Sequence, residues 1–255
     1  MRFLPILARL VFAGFVISLL VGVTAGFGTK YGMWDFKFGL LTLFPWCIYA
    51  GLGTLALGVI WGLLAFFTKT NGAARWGVIG LTGAAAVLVL PLYSIYVART
   101  SPPIHDITTD VVNPPQFKAV LTLRKDALNA PDYYGATKIL WNGETKTAAE
   151  WQRKFYTDIH TIQILIPPDK MFARAQAAAS AMGWKIVAVV SDEGRIEATD
   201  TTLFFGFTDD IVIRVKPSGM GAKLDIRSES RVGTSDIGKN ASRIRAYIKT
   251  LANTH

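Results

Sequence analysis

The residues best suited to binding a charged group lie near the C-terminal end of the chain. Arg227 and Arg231 bracket Ser228 and Ser230, and Arg243 follows. Guanidinium groups match the geometry of phosphate and carboxylate. Alternate strand residues share a face, so Arg227 and Arg231 can act together while the serines point the other way. The pattern predicts either an anion-binding site or cross-strand ion pairs.

Three acidic residues are candidate members of the same site. Asp209 and Asp210 begin one predicted strand, and Glu197 lies in the strand before it. The last predicted strand has one wholly charged face, formed by Lys223, Asp225, Arg227, Glu229 and Arg231. In a sheet, these residues are expected to meet partners on neighbouring strands, for instance Glu197 and Arg214. As a metal site the aspartate pair lacks a third ligand at a diagnostic spacing. We therefore predict no metal and no cofactor, and favour turn capping with ion pairs for the aspartates.

The segment between Gly233 and Gly238 introduces a predicted helix. Ser235 or Asp236 is suited to cap it, and free backbone N–H groups there can also receive an anion. The lysine and hydroxyl pattern of a phosphate-binding P-loop is missing. Capping is the favoured interpretation, and Ser235 stays a ligand-binding candidate.

An acid–base pair is the alternative chemistry. His105 and Asp106 are neighbours, and Asp209 and Asp210 form a second pair. Neither a nucleophile elbow nor a histidine cluster accompanies them. We name no catalytic residue and lean against an enzyme.

The elements that must position these residues predict an α+β domain. Its mainly antiparallel sheet has about four to five strands and is packed by helices. The predicted elements are a helix at 147–157, a strand at 162–166, a helix at 170–182, strands at 184–190, 195–205, 210–216 and 222–230, and a helix at 236–251.

The first hundred residues differ sharply, because three stretches carry no charge: 10–29, 38–68 and 76–98. A bilayer core needs roughly 20 apolar residues as helix. We predict a membrane domain at 1–98 with spans at about 8–29, 39–67 and 76–98, an extended linker at 99–117 and a soluble domain at 118–255.

Basic residues near the spans predict the orientation. The N-terminal tail and second loop hold twice as many as the first loop: Arg2, Arg9, Lys69 and Arg75 against Lys30 and Lys37. We therefore expect a bacterial inner-membrane protein with a cytoplasmic N-terminus and a periplasmic C-terminal domain. Signal-peptide cleavage after Val23-Thr24-Ala25 is disfavoured, because the apolar run is longer than the about 7–15 residues usual for a signal core.

Composition narrows the partners. The net charge is +9, but residues 99–255 hold 21 basic against 17 acidic residues without a clustered basic stripe, which argues against nucleic acid. The single cysteine, Cys47, lies in the second span, so the soluble domain has no disulfide or thiol nucleophile. The spans contain Gly22-x-x-x-Gly26 and Gly58-x-x-x-Gly62, which can support a homo-oligomer, although a chance match is favoured.

Several segments together resemble the domain-of-unknown-function 1499 family. They are residues 103–110 (Pro-Ile-His-Asp-Ile-Thr-Thr-Asp), 114–117 (Pro-Pro-Gln-Phe), 195–199 (Arg-Ile-Glu-Ala-Thr), 206–210 (Gly-Phe-Thr-Asp-Asp) and 227–240 (Arg-Ser-Glu-Ser-Arg-Val-Gly-Thr-Ser-Asp-Ile-Gly-Lys-Asn), with Arg243 and Ile244. The resemblance covers about residues 103–252. It implies a domain placed after a few membrane spans, and it implies no activity.

Three functional hypotheses follow. The leading one is a periplasmic domain that binds an anionic small molecule, a lipid or an envelope protein. The first alternative is a membrane-associated enzyme that uses His105 and Asp106, or Asp209 and Asp210, as acid–base groups. The second alternative is a structural subunit of an envelope complex.

Overall fold

The computed structural model describes residues 3–69 and 73–254. They form two compact units. The first comprises the chain up to Tyr96 together with Thr202–Gly206, and the second comprises Val97–Thr201 and the chain from Phe207. Arg2, counted above in the N-terminal tail, lies outside the described residues.

Three long apolar helices build the first unit: α1 (Phe3–Lys30), α2 (Phe44–Thr68) and α3 (Ala74–Thr100, whose last residues belong to the second unit). A π-helical turn, Phe38–Leu43, runs without a break into α2, and Pro45 lies where the two meet. The mean hydropathy of the three reaches 2.5, 2.0 and 2.1, so their length and composition suffice to cross a membrane. The prediction of three apolar helices is confirmed.

Glycines let these helices approach one another closely. A Cβ atom placed on Gly80 of α3 would lie 2.6 Å from the backbone nitrogen of Phe12 in α1. One on Gly58 of α2 would lie 2.7 Å from the side chain of Leu81. A Cβ on Gly62 would meet nothing within 4 Å. Gly58 thus serves a contact within the chain.

The second unit contains a six-stranded antiparallel sheet. Its strands are β1 (Asp106–Thr108), β4 (Ile162–Ile164), β5 (Lys185–Val190), β6 (Arg195–Thr201), β7 (Thr208–Ser218) and β8 (Gly221–Ser230); β2 (Lys138–Trp141) and β3 (Glu144–Thr147) form a separate hairpin. The order is β1-β8-β7-β6-β5, and β4 shares the β1 edge of β8. The predicted α+β class with a mainly antiparallel sheet is confirmed, and β1 lies within the predicted linker.

Two predicted boundaries were wrong for local reasons. The strand expected at 195–205 ends at Thr201, because Thr202–Gly206 leaves the sheet and belongs to the first unit. The helix expected from residue 236 begins at Lys239. Its start is delayed because Ile237 and Gly238 have positive φ angles of 48° and 78°.

The sheet has two different faces. Helices α5 (Pro168–Ala181) and α6 (Lys239–Asn253) pack on one, against Ile196, Ile213 and Ile226. A short helix, α4 (Ala148–Phe155), begins with a capping box formed by Thr147 and Glu150. The other face carries the charged residues of β8, and the chain between β1 and β2 covers it, with Phe117 packed on Val212. Asp225, Arg227 and Glu229 of the predicted charged face are therefore buried, whereas Lys223 and Arg231 at its ends are half-buried.

Candidate functional site

The first group of candidate residues forms what we call the loop-side cluster: Asp106, Arg124, Asp210, Arg227, Glu229 and Arg231. Arg227 is its centre and is fully buried. Its Nε and Nη2 donate to the two carboxylate oxygens of Asp106 at 2.9 and 2.8 Å. Its guanidinium carbon lies 4.7 Å from the ring centroid of Phe117. A guanidinium so placed is neutralised by a forked pair and shielded by an aromatic face.

Arg124 joins the remaining members of the cluster. Its Nη1 donates to Asp210 at 2.5 Å and its Nη2 to Glu229 at 2.9 Å. Arg231 donates two hydrogen bonds to the same Asp210 carboxylate, from Nε at 3.0 Å and from Nη2 at 2.8 Å. The Asp210 carboxylate thus accepts hydrogen bonds from Arg231, which follows β8, and from Arg124, which lies in the chain that covers the sheet. Sequence reasoning missed Arg124, because the surrounding segment shows no periodic pattern.

The second group lies on the opposite face of the sheet, under α6, and we call it the helix-side cluster: Asp200, Asp209, Ser228, Asn240 and Arg243. The Nη2 atom of Arg243 donates to Asp209 at 2.5 Å and to Asp200 at 2.8 Å. Its Nη1 donates to Asn240 at 2.6 Å. Since neighbouring strand residues face opposite ways, Asp209 and Asp210 enter different clusters.

The last two candidates bind backbone groups. Buried Glu197 accepts N–H groups from Lys118, Ala119 and Val120 at 2.9–3.1 Å, at the start of a 3₁₀ turn. The hydroxyl of Ser235 accepts the N–H of Ile237 at 3.2 Å. Both side chains therefore satisfy backbone donors of this chain.

Burial changes the acidity of several carboxyl groups. It raises the pKa of Glu229 to about 8, with the nearby Asp106 carboxylate acting in the same direction. Burial also raises the pKa of Asp106 and, to about 6, that of Asp236. Asp236 keeps two backbone donors, Gly238 at 2.8 Å and Asn240 at 2.6 Å, that favour its charged form.

The proposed acid–base residues do not converge. Burial lowers the pKa of His105, whose ring stacks on Tyr134 with centroids 4.3 Å apart. Asp106 pairs with Arg227, while the two later aspartates pair in separate clusters. Within residues 3–69 and 73–254, no group of three or more potential ligands is arranged to hold a metal ion.

An open cleft of about 350 Å³ lies beside α4, at the end of β1. Gln152, a buried residue of its lining, donates to the Thr108 carbonyl at 2.6 Å and accepts the Thr108 N–H at 3.1 Å. Arg153 and His160 are exposed basic side chains at its wall. The lining residues are Thr109, Val111, Gln152, Arg153, Tyr156, Thr157, Ile159 and His160. None of them was a candidate from the sequence, because the wall joins residues up to 51 positions apart.

Fold and clusters together define a class: an antiparallel α+β domain with buried arginine–carboxylate clusters, in a chain with three apolar helices. The sequence pattern of the family described as protein of unknown function (DUF1499) matches residues 106–251. The chain belongs to this family, as its sequence motifs indicated. No curated protein sequence matches it.

Proposed function

We propose that the chain is a multi-pass protein of a bacterial inner membrane, with a periplasmic C-terminal domain that binds an anionic group. The group is a phosphate, free or carried by an envelope lipid, and its site is the cleft beside α4. The observation that carries the proposal is the pair of exposed basic side chains, Arg153 and His160, on this cleft.

The choice of the cleft follows from the state of the other arginines. Arg227, Arg231 and Arg243 already bind carboxylates of the chain itself. An external anion would have to displace those carboxylates and leave them buried without a counter-charge, which is strongly unfavourable. Arg153 lies in water at the cleft wall, where a phosphate can reach it without that cost.

The walls of the cleft suit an anion attached to an apolar group. Arg153 offers a fork of donors, and Thr157 offers a hydroxyl. Val111, Ile159 and the ring of Tyr156 supply apolar surface beside them. The lining thus combines several hydrogen-bonding side chains with an apolar surface. A phospholipid meets both requirements, because its phosphate can reach Arg153 while the start of its acyl chains lies on the apolar surface.

Binding can be measured by native mass spectrometry of the full-length protein released from detergent micelles. The probes are phosphatidylglycerol, phosphatidylcholine and inorganic phosphate. We expect a phosphatidylglycerol adduct whose affinity falls at least tenfold in Arg153→Ala, because a charge-assisted hydrogen bond contributes about 1.5–3 kcal/mol. An adduct with inorganic phosphate of equal affinity would identify a free anion as the ligand.

The matched control is Lys154→Ala. Lys154 is the next residue on α4, but its Nζ lies 3.2 Å from Glu144 and it does not line the cleft. This variant should bind like the unchanged protein, and Arg153→Lys should recover part of the affinity. Equal binding by Arg153→Ala and the unchanged protein would refute the site.

The structural-subunit hypothesis makes a different prediction for the same samples. Its support comes from the closing motif, residues 227–240 with Arg243, because the arginines of this motif bind carboxylates of the same domain. If no probe binds and an envelope protein or a second copy accompanies the chain instead, the function is assembly rather than ligand binding.

A further inference from the structure

The loop Thr202–Gly206 joins β6 to β7 and has an apolar tip, Leu203-Phe204-Phe205. Leu203 is 75% exposed. The hairpin between β7 and β8 differs, because its exposed Met220 is flanked by glycine on both sides. Three consecutive large apolar residues at a loop tip are costly in water, so the composition of this tip needs a physical explanation.

The first unit contains this loop, and aromatic contacts hold it there. The ring of Phe204 meets that of Phe27 edge-on at 5.5 Å between centroids, and Phe205 meets Phe44 at 5.7 Å. The two loop rings also meet each other at 5.0 Å. Phe27 lies in the last turns of α1, and Phe44 begins α2. The loop therefore lies at one end of two helices that can cross a membrane.

The residues around this end are those that favour the boundary between lipid and water. Tyr31 stacks on Phe27, and the ammonium group of Lys30 lies 5.9 Å from the Tyr31 ring centroid. Trp34 donates its indole N–H to the carbonyl of Ala25 at 3.4 Å. Aromatic rings and snorkelling lysines concentrate at this depth of a bilayer.

We propose that Leu203, Phe204 and Phe205 enter the headgroup layer of the membrane, so that the chain contacts the bilayer at a fourth place besides its three helices. The lipid surface accounts for the exposed Leu203, which gains by transfer from water. It also accounts for the aromatic pair, whose neighbours belong to the ends of membrane-spanning helices. The proposal does not depend on ligand binding in the cleft.

The test places an environment-sensitive fluorophore, NBD, on a cysteine at the tip. The background is Cys47→Ser, which removes the single native thiol. Leu203→Cys is the test position and Met220→Cys the matched control, because both are exposed hairpin-tip residues. The full chain is reconstituted into vesicles of phosphatidylcholine and phosphatidylglycerol. A fraction of the phosphatidylcholine carries a doxyl quencher high on its acyl chain.

We expect the probe at 203 to emit at shorter wavelength than the probe at 220. It should lose most of its fluorescence to the doxyl lipid and little to aqueous iodide, with the reverse at 220. Strong iodide quenching at 203 without doxyl quenching would place the tip in water and overturn the proposal. Protection from both quenchers would mean that protein covers the tip, which would also overturn it.

Discussion

At the residue scale, the arginines of the closing motif act on the chain's own carboxylates. Arg227 contacts two separate parts of the domain. It binds Asp106 of strand β1, and it packs against the ring of Phe117 in the chain that covers the sheet. A buried ion pair contributes little net stability, but removing one partner leaves an uncompensated charge. The loop-side cluster is therefore expected to be sensitive to single changes.

Replacing Arg227 by alanine should lower the free energy of unfolding by about 3–5 kcal/mol, because Asp106 and Glu229 lose their shared counter-charge. For a chain of this size, the midpoint of thermal unfolding should fall by roughly 10 °C. The measurement is thermal unfolding of the full-length protein in detergent, followed by intrinsic fluorescence.

The control is Arg245→Ala, which removes an exposed pair with Asp158. Such a pair contributes about 0.2–1 kcal/mol, so the midpoint of thermal unfolding of this variant should hardly change. If Arg227→Ala is as stable as Arg245→Ala but fails to bind an anionic probe, Arg227 is a ligand-binding residue and the structural assignment is wrong.

At the scale of elements, the helices of the first unit and the sheet of the second unit pack through different kinds of contact. The apolar helices pack through glycines, whereas the sheet packs through isoleucines on one face and paired charges on the other. The backbone of Phe12 cannot withdraw from a new methyl group as a flexible side chain can. Close helix approach is therefore the more fragile of these contacts.

Gly80→Ala should destabilise the helices by about 1–3 kcal/mol, because its Cβ would lie 2.6 Å from the backbone nitrogen of Phe12. Gly62→Ala is the matched control, since its Cβ would meet nothing within 4 Å. Alanine is the better helix former, so that change should be neutral or slightly stabilising. Thermal midpoints in detergent compare the two, and equal midpoints would contradict the close packing at Gly80.

At the scale of the whole molecule, orientation decides which compartment can supply a ligand or partner. The basic residues of the tail and of the second loop predict that both are cytoplasmic. An odd number of spans then places everything after α3 on the other side. The proposed function requires this placement, because an envelope lipid or protein must reach the cleft.

Membrane-impermeant maleimide should label Met220→Cys in intact cells, in a Cys47→Ser background. Met220 is 93% exposed, so its accessibility reports the compartment rather than burial. Asn71→Cys, which falls between the second and third uncharged stretches of the sequence, should react only after the membrane is permeabilised. The reverse pattern would assign the C-terminal domain to the cytoplasm and remove the basis for an envelope ligand.

The sequence by itself determined the features that depend on local order along the chain. Uncharged length predicts helices able to span a bilayer, and alternation predicts strands such as β8 and which of its residues share a face. The closing motif indicated the DUF1499 family, and the family match over residues 106–251 confirms that the chain belongs to it. The same alternation predicts that Arg227 and Arg231 lie on the opposite face from Ser228.

Only the tertiary structure decided which charges meet and which remain in water. A charged strand face is solvated or buried according to what covers it, and the cover here is an irregular segment that brings Arg124 to Asp210, 86 residues away. The cleft likewise joins the end of β1 to α4, so that Arg153 lines it together with Thr109 and Val111, more than 40 residues away. Such contacts depend on the path of the whole chain, and local periodicity carries no information about that path.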